Sequence, residues 1–309
     1  MQNALKPGIV KFDEVSLEVD LANRTVWTWM RPRGRGCFTK GLLTDLISAE
    51  SAIESSGGRA VSDVGLTDIE YAVLASDDPR LFSRGGDLLH FVTLAGSRDA
   101  KALGDYADLC IENVYRRHNL YNSLPITTVS LVRGVCHGGG FEAALSSRVI
   151  VAEADATIAF PEVNHNLFPG MGAYQLLARR TSRATAKYLM GSGRQISVKE
   201  LADLKIIDVI AEPGSGIEGV TRFIARHRRH RRGRLGMERI DDFEMPITRE
   251  QLQFAASVWV ETMLALSDRD LAHMMKYVNA QGLKKQTQST VDSGSEIDRS
   301  VERLLRRVV

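Results

Sequence analysis

The run Val132-Arg133-Gly134-Val135-Cys136-His137-Gly138-Gly139-Gly140-Phe141-Glu142 places three consecutive glycines between a strand-forming stretch and an acidic residue that opens a helix. Each glycine has about 1 kcal/mol less helix preference than alanine, so three in a row imply a need for bare backbone. Without a Cβ the chain can come within hydrogen-bonding distance of a ligand. N–H groups at a helix start have no intrahelical acceptor and carry the positive end of the helix dipole. Such a turn favours an anion, or a carbonyl oxygen that gains charge during a reaction. Glu142 falls about half a turn past the last glycine, which sets its carboxylate beside the same bound group. For this segment alone, the simpler alternative is a strand-to-helix turn that uses glycine for close packing.

A second segment repeats the arrangement. Ile69 to Ser76 reads as a strand, and Asp77 to Leu88, with Gly85-Gly86-Asp87, as a loop leading into another helix. Asp87 is expected to cap that helix. Two junctions of this kind can offer two N–H donors to one oxygen, the geometry of an oxyanion hole.

These residues carry a resemblance. Phe82 to Leu88, Gly134 to Glu142, Phe160-Pro161-Glu162 and Phe168-Pro169-Gly170-Met171-Gly172 resemble, in order and spacing from about residue 25 to residue 215, the successive signatures of the crotonase (enoyl-CoA hydratase/isomerase) superfamily. The resemblance implies an α/β fold: a crotonase-like ββα spiral core over residues 1–215, with a helical region over residues 216–309 that serves the acyl pocket and oligomerisation. It also implies that the N–H groups of Gly86 and Gly139 form the oxyanion hole and that Glu142 and Glu162 are the catalytic pair. Val73 to Asp77, Gly139 to Ser146, Leu167 to Tyr174 and Val258 to Thr262 are more narrowly similar to the diffusible signal factor synthases, which make cis-2-unsaturated fatty acids. That likeness implies dehydration of a 3-hydroxyacyl thioester on acyl carrier protein, followed by thioester hydrolysis. It places Gly138, Met171, Gly172 and Trp259 against the substrate and implies no cofactor and no metal. A generic enoyl-CoA hydratase/isomerase acting on a CoA thioester, and a non-catalytic binding or regulatory protein, are the alternatives. The family also implies a homotrimer or dimer of trimers and allows a sensor kinase as partner.

Arg84 departs from the small residue usual in the superfamily loop, and Arg31-Pro32-Arg33-Gly34-Arg35-Gly36 is unusually basic. Either could alter carrier recognition. His137 before the glycines has no G-x-S-x-G nucleophile elbow to serve, so it is not expected to be catalytic.

The strand and helix pattern supports βαβ packing. Arg24 to Met30 and Thr127 to Val132 read as strands and Lys40 to Ser55 as an amphipathic helix, while Leu103, Tyr106, Cys110 and Val114 mark the buried face of a helix over about Asp99 to His118. After Pro213-Gly214-Ser215-Gly216 the patterns become helical, and Lys284 to Ser295 is polar and expected to be mobile. The amino terminus lacks the order of a signal peptide and no apolar run approaches a membrane span, which makes the cytoplasm the expected compartment. Cys37, Cys110 and Cys136 lack paired spacing and are expected to be reduced.

Charge is uneven. The chain is only +2 overall, yet eight arginines lie between Arg222 and Arg239, so the remainder is net acidic. A solvated helix face is the plain reading. Arg226, Arg229 and Arg232 could instead dock an acidic carrier protein or its phosphate. Nucleic acid is not expected, because no aromatics interleave the arginines for base stacking.

Overall fold

The structure, a computed structural model, describes residues 4–119 and 124–286. Its large sheet has seven strands in the order β1 (Gly8–Lys11), β2 (Val15–Asp20), β3 (Thr25–Met30), β6 (Tyr71–Ser76), β8 (Thr127–Val132), β10 (Val149–Glu153) and β13 (Val209–Ala211). The first three pair antiparallel, and from β3 onward every pair is parallel. Every residue of β6 and β8 is buried, as befits apolar, β-branched runs covered on both faces. Register sends Val73, Ala75, Val129 and Leu131 to one face and Ala72, Leu74 and Val132 to the other, so two separate cores form. A hairpin of β4 (Arg59–Ser62) and β5 (Gly65–Asp68) stands apart.

On the larger core lie α1 (Lys40–Ser55), α2 (Leu88–Gly96), α3 (Ala100–Asn119) and α4 (Gly139–Leu145). The Lys40–Ser55 and Thr127–Val132 elements have the bounds expected from sequence. The long helix extends one residue past its expected end at His118, and of its expected face Leu103, Tyr106 and Val114 are buried while Cys110 is half-buried. A small sheet in the order β12 (Gln195–Ile196), β11 (Thr157–Ala159), β9 (Val135–His137), β7 (Leu81–Ser83) packs here too. Its strands β7, β9 and β11 are parallel, so the loops after them emerge along one edge. Parallel sheets bind ligands at such carboxyl ends.

The chain continues through α5 (Ala173–Arg180), α6 (Arg183–Ser192) and α7 (Val198–Asp203), then α8 (Gly216–His227), α9 (Arg231–Glu244), α10 (Arg249–Leu264) and α11 (Asp268–Gln286). Helix α8 covers the smaller core through Val220 and Ile224. Helix α10 packs on α3, and α11 lies on α2. Among the described residues no helix is long and apolar enough to cross a membrane. Of the polar stretch expected from Lys284 to Ser295, the part beyond Gln286 lies outside the described residues.

Candidate active site

The glycines after β9 have separate reasons to be glycine. Gly138 has φ +51°, and a Cβ on it would stand 2.1 Å from Glu162 Oε1. A Cβ on Gly140 would stand 2.8 Å from Ser83 O, so the helix start is pressed against β7. Gly139 has ordinary space, and the position of its missing Cβ is 3.5 Å from Gly86 N. The facing loop is fixed by Phe38 N donating to Gly85 O at 2.8 Å and Arg84 N to Gly36 O at 2.9 Å. Asp87 caps α2 by accepting from His90 N and pairs with Arg35 at 2.8 Å. The amides of Gly86 and Gly139 therefore border one small space. Neither N–H donates to another protein atom among the described residues.

Glu142 lies one turn into α4 and is buried. Its Oε1 accepts from Met171 N at 2.8 Å and Ala173 N at 2.9 Å. Both amides reach one oxygen because Gly172 between them is left-handed, with φ +116°. Burial raises the carboxyl to about 7, and the two amides oppose that rise by stabilising the anion.

Glu162 sits on the 3-10 turn Pro161–His165, where Pro161 takes a first-turn position that needs no N–H donor. The residue is half-buried, but its Oε2 is sealed from solvent and has no hydrogen-bond partner among the described residues. Burial first, then the charge of Glu142, raises it to about 8. Two carboxyls facing one space split in this way because both cannot ionise cheaply in a poorly solvated site. Both carboxyls are thus pushed above the ordinary carboxylate range, toward neutral pH, chiefly by burial.

One cavity of about 310 Å³ joins these groups. It is lined by Gly86, Gly138, Gly139, Glu142 and Glu162, and by Met171 and Trp259. Trp259 stacks edge-on to Phe91 at 5.0 Å between ring centroids, and Phe91 edge-on to Tyr106 at 4.9 Å. Gly172, expected against the substrate, does not line the cavity; it shapes the turn that holds Glu142. Arg84 and His137 do line it, and burial, then the Arg84 charge, pushes the His137 imidazole below its ordinary range.

Arg226, Arg229 and Arg232 are exposed on the far side of the large sheet, where α8 covers the smaller core, and the structure does not bring them to the cavity. Their neighbours anchor that segment. Arg228 pairs with Glu70 at 3.0 Å, His227 Nδ1 and Tyr71 Oη lie 2.9 Å apart, and Arg231 sits 6.0 Å over the Tyr71 ring. Sequence reading also missed two groups at the cavity wall. One is the buried ion pair Arg117–Glu50 at 2.8 Å. The other is His165, 4.6 Å from the Tyr277 ring on α11, for which a lone histidine gave no sequence signal.

Comparison with known proteins identifies the family and the fold. Residues 31–222 match the family described as enoyl-CoA hydratase/isomerase. A probable enoyl-CoA hydratase of Bacillus subtilis (strain 168) is 30% identical over 141 residues, covering 46% of this chain and 52% of the relative. An enoyl-CoA isomerase/hydratase of Mycosarcoma maydis is 30% identical over 186 residues, 60% of this chain and 64% of the relative. The chain thus spans about half to two thirds of the length of these relatives. In fold it is similar to the crystal structure of enoyl-CoA hydratase from Bacillus halodurans, with TM-score 0.69 and 19% identity over 86% of this chain and all (100%) of that one. It is similar also to human mitochondrial delta3-delta2-enoyl-CoA isomerase, with TM-score 0.67 and 15% identity over 90% of this chain and 100% of that one.

Proposed function

Since the chain belongs to the enoyl-CoA hydratase/isomerase family, we propose that its cavity binds an acyl thioester and runs proton chemistry at C2 through an enolate. One observation carries this reading: two backbone amides without acceptors among the described residues border the same cavity as two carboxyls that burial pushes above their ordinary range. The thioester oxygen sits between the N–H groups of Gly86 and Gly139, where the loss of one donor costs about 3 to 4 kcal/mol. One of Glu142 and Glu162 accepts a proton while the other gives one.

The narrower proposal is dehydration of a 3-hydroxyacyl chain on acyl carrier protein. The C2–H bond breaks, its proton passes to one glutamate, and the C3–O bond breaks as the other protonates the hydroxyl, releasing water and a cis-2-enoyl thioester. A water activated by the same pair then attacks the carbonyl carbon, the thiol leaves, and a free 2-enoic acid results. Support comes from the likeness of Leu167 to Tyr174 and Val258 to Thr262 to the signal synthases, since Met171 and Trp259 from those runs wall the cavity. The second reading is reversible hydration of enoyl-CoA, which the same two carboxyls could perform and which the family match favours.

Incubation with 3-hydroxyacyl chains of several lengths, on both carrier protein and CoA, followed by mass spectrometry of free acids, separates the two. Free 2-enoic acid is the expected product. Reversible hydration of enoyl-CoA with no free acid would reject the narrower reading and keep the second. No turnover of any thioester would reject both.

A further inference from the structure

We propose that the acyl tail runs inward from the glutamates through a channel between α1, α3 and α4, and that the buried Glu50–Arg117 pair at its end limits how long a tail fits. This rests on the thioester reading above. The channel is drawn by three helical rows on one cavity. From α4 come Gly139, Glu142, Ala143 and Ser146, spaced as one helix face. From α1 come Leu43, Leu46 and Glu50, and from α3 Cys110, Asn113, Val114 and Arg117, again at one-face spacing. The row on α4 starts at the amide that borders the thioester oxygen.

The depth follows from the helix. Gly139 to Ser146 is about 10 Å along the axis at ~1.5 Å per residue. An extended chain advances roughly 1.2 Å per bond, so about eight bonds reach the floor. The walls before the floor are largely apolar, with Leu43, Leu46, Leu74 and Val114 facing the space. The floor is polar but its donors are already committed. Arg117 donates to Glu50 Oε1 and Ser147 Oγ, each at 2.8 Å, and to Ala72 O at 3.0 Å and Val129 O at 2.8 Å. Ser146 Oγ donates to Ala143 O at 2.7 Å, and Asn113 Nδ2 to Leu43 O at 3.1 Å and Leu109 O at 2.8 Å. Such a floor offers no uncommitted donor to a polar tail end and does not yield to an apolar one, because moving the pair would strand a buried charge. The occupant is therefore an unbranched or lightly branched apolar tail of medium length.

The test is binding of saturated acyl-CoA esters of four to fourteen carbons to the full chain, measured by calorimetry. Wild-type affinity should rise with length and level off at about ten carbons. Ser146→Leu, which fills the floor, should move that plateau to shorter tails and weaken the ten-carbon ester about tenfold relative to the four-carbon one. Leu46→Ala, which widens the channel, should favour the longest esters instead. A wild type with no length dependence overturns the proposal, as does an unchanged profile in both variants. A shortened plateau produced by Leu88→Trp but not by Ser146→Leu would put the tail along α2, and overturns it too. Binding needs no turnover, so the thioester chemistry could fail with the length series intact. Turnover with a length profile that Ser146→Leu leaves unaltered would reject the channel alone.

Discussion

Two pairs of ionisable side chains line the same cavity and are built on opposite principles. Glu50 and Arg117 carry opposite charges, lie 2.8 Å apart, and Arg117 is further held by two backbone carbonyls and a hydroxyl. Glu142 and Glu162 are both acids, and while Glu142 is held by two amides, the sealed Oε2 of Glu162 has no partner among the described residues. The first arrangement is fixed by its ion pair and hydrogen bonds and does structural duty. The second is held between two states, which is what proton transfer requires.

That contrast is broken most severely at Arg117. Removing it leaves Glu50 as an uncompensated buried charge, so Arg117→Met should lower the unfolding free energy by about 3 to 5 kcal/mol in a denaturant titration. The double change Arg117→Met with Glu50→Leu should recover much of that loss, because an apolar pair of similar volume is often as stable as the ion pair it replaces. A double variant no more stable than the single one would mean that packing, and not charge pairing, is what Arg117 supplies.

At the like-charge pair the order of effects reverses. Glu142→Gln and Glu162→Gln should each lower turnover by a factor of roughly 100 or more, with little loss of stability. The sign of the pH dependence follows from the raised values. Glu162 keeps its proton in the folded state up to about 8 but releases it near the ordinary 4.5 when unfolded. Stability that is fully present below 4.5 is therefore lost as pH rises through about 8, at up to roughly 1.4 kcal/mol per pH unit for the one proton. Glu162→Gln should flatten that slope in a series of melts. Catalysis should be bell-shaped, falling below about 7 as Glu142 gains a proton and above about 8 as Glu162 loses one, with both limbs belonging to the pair. Wild-type turnover in both glutamine variants would remove the mechanism.

A gentler probe is Gly172. A side chain at φ +116° is strained by about 1 to 3 kcal/mol, and its Cβ would stand 3.0 Å from Leu252. Gly172→Ala should pull the Met171 and Ala173 amides away from Glu142 and raise its carboxyl further. The acidic limb of the rate profile should then move to higher pH while the alkaline limb stays nearly where it was. A uniform fall in rate with an unshifted profile would mean that the turn supports the fold and does not tune Glu142.

Much of this was legible in the sequence because it depends on local pattern. The glycine junctions, the cap at Asp87 and the helical face of Leu103, Tyr106 and Val114 are each set by residues a few positions apart. What could not be read were pairings across long separations. The role of Gly172 depends on a carboxylate 30 positions earlier, and Arg117 finds Glu50 across 67 positions, through helices whose facing is decided only by the assembled core. The division of the arginine stretch was hidden for the same reason. Its composition suggested a single charged face, whereas the fold divides it.

That division gives the smallest expected effect and the most informative one about partners. Arg228 and Arg231 are tied to Glu70 and Tyr71, while Arg226, Arg229 and Arg232 are exposed and make no ion pair among the described residues. Changing the exposed three to serine should alter stability by no more than about 0.5 kcal/mol. Because the large sheet separates them from the cavity, turnover of a CoA thioester should stay within about twofold of wild type. A carrier protein is an extended acidic surface, so if it docks on this face its KM alone should rise, and added salt should raise the wild-type KM in the same way. Equal KM values for carrier-linked substrate in wild type and triple variant would reassign these arginines to solvation. The basic loop Arg31 to Gly36, joined to the cavity rim through the bond from Arg84 N to Gly36 O, would then be the next surface to test for carrier recognition.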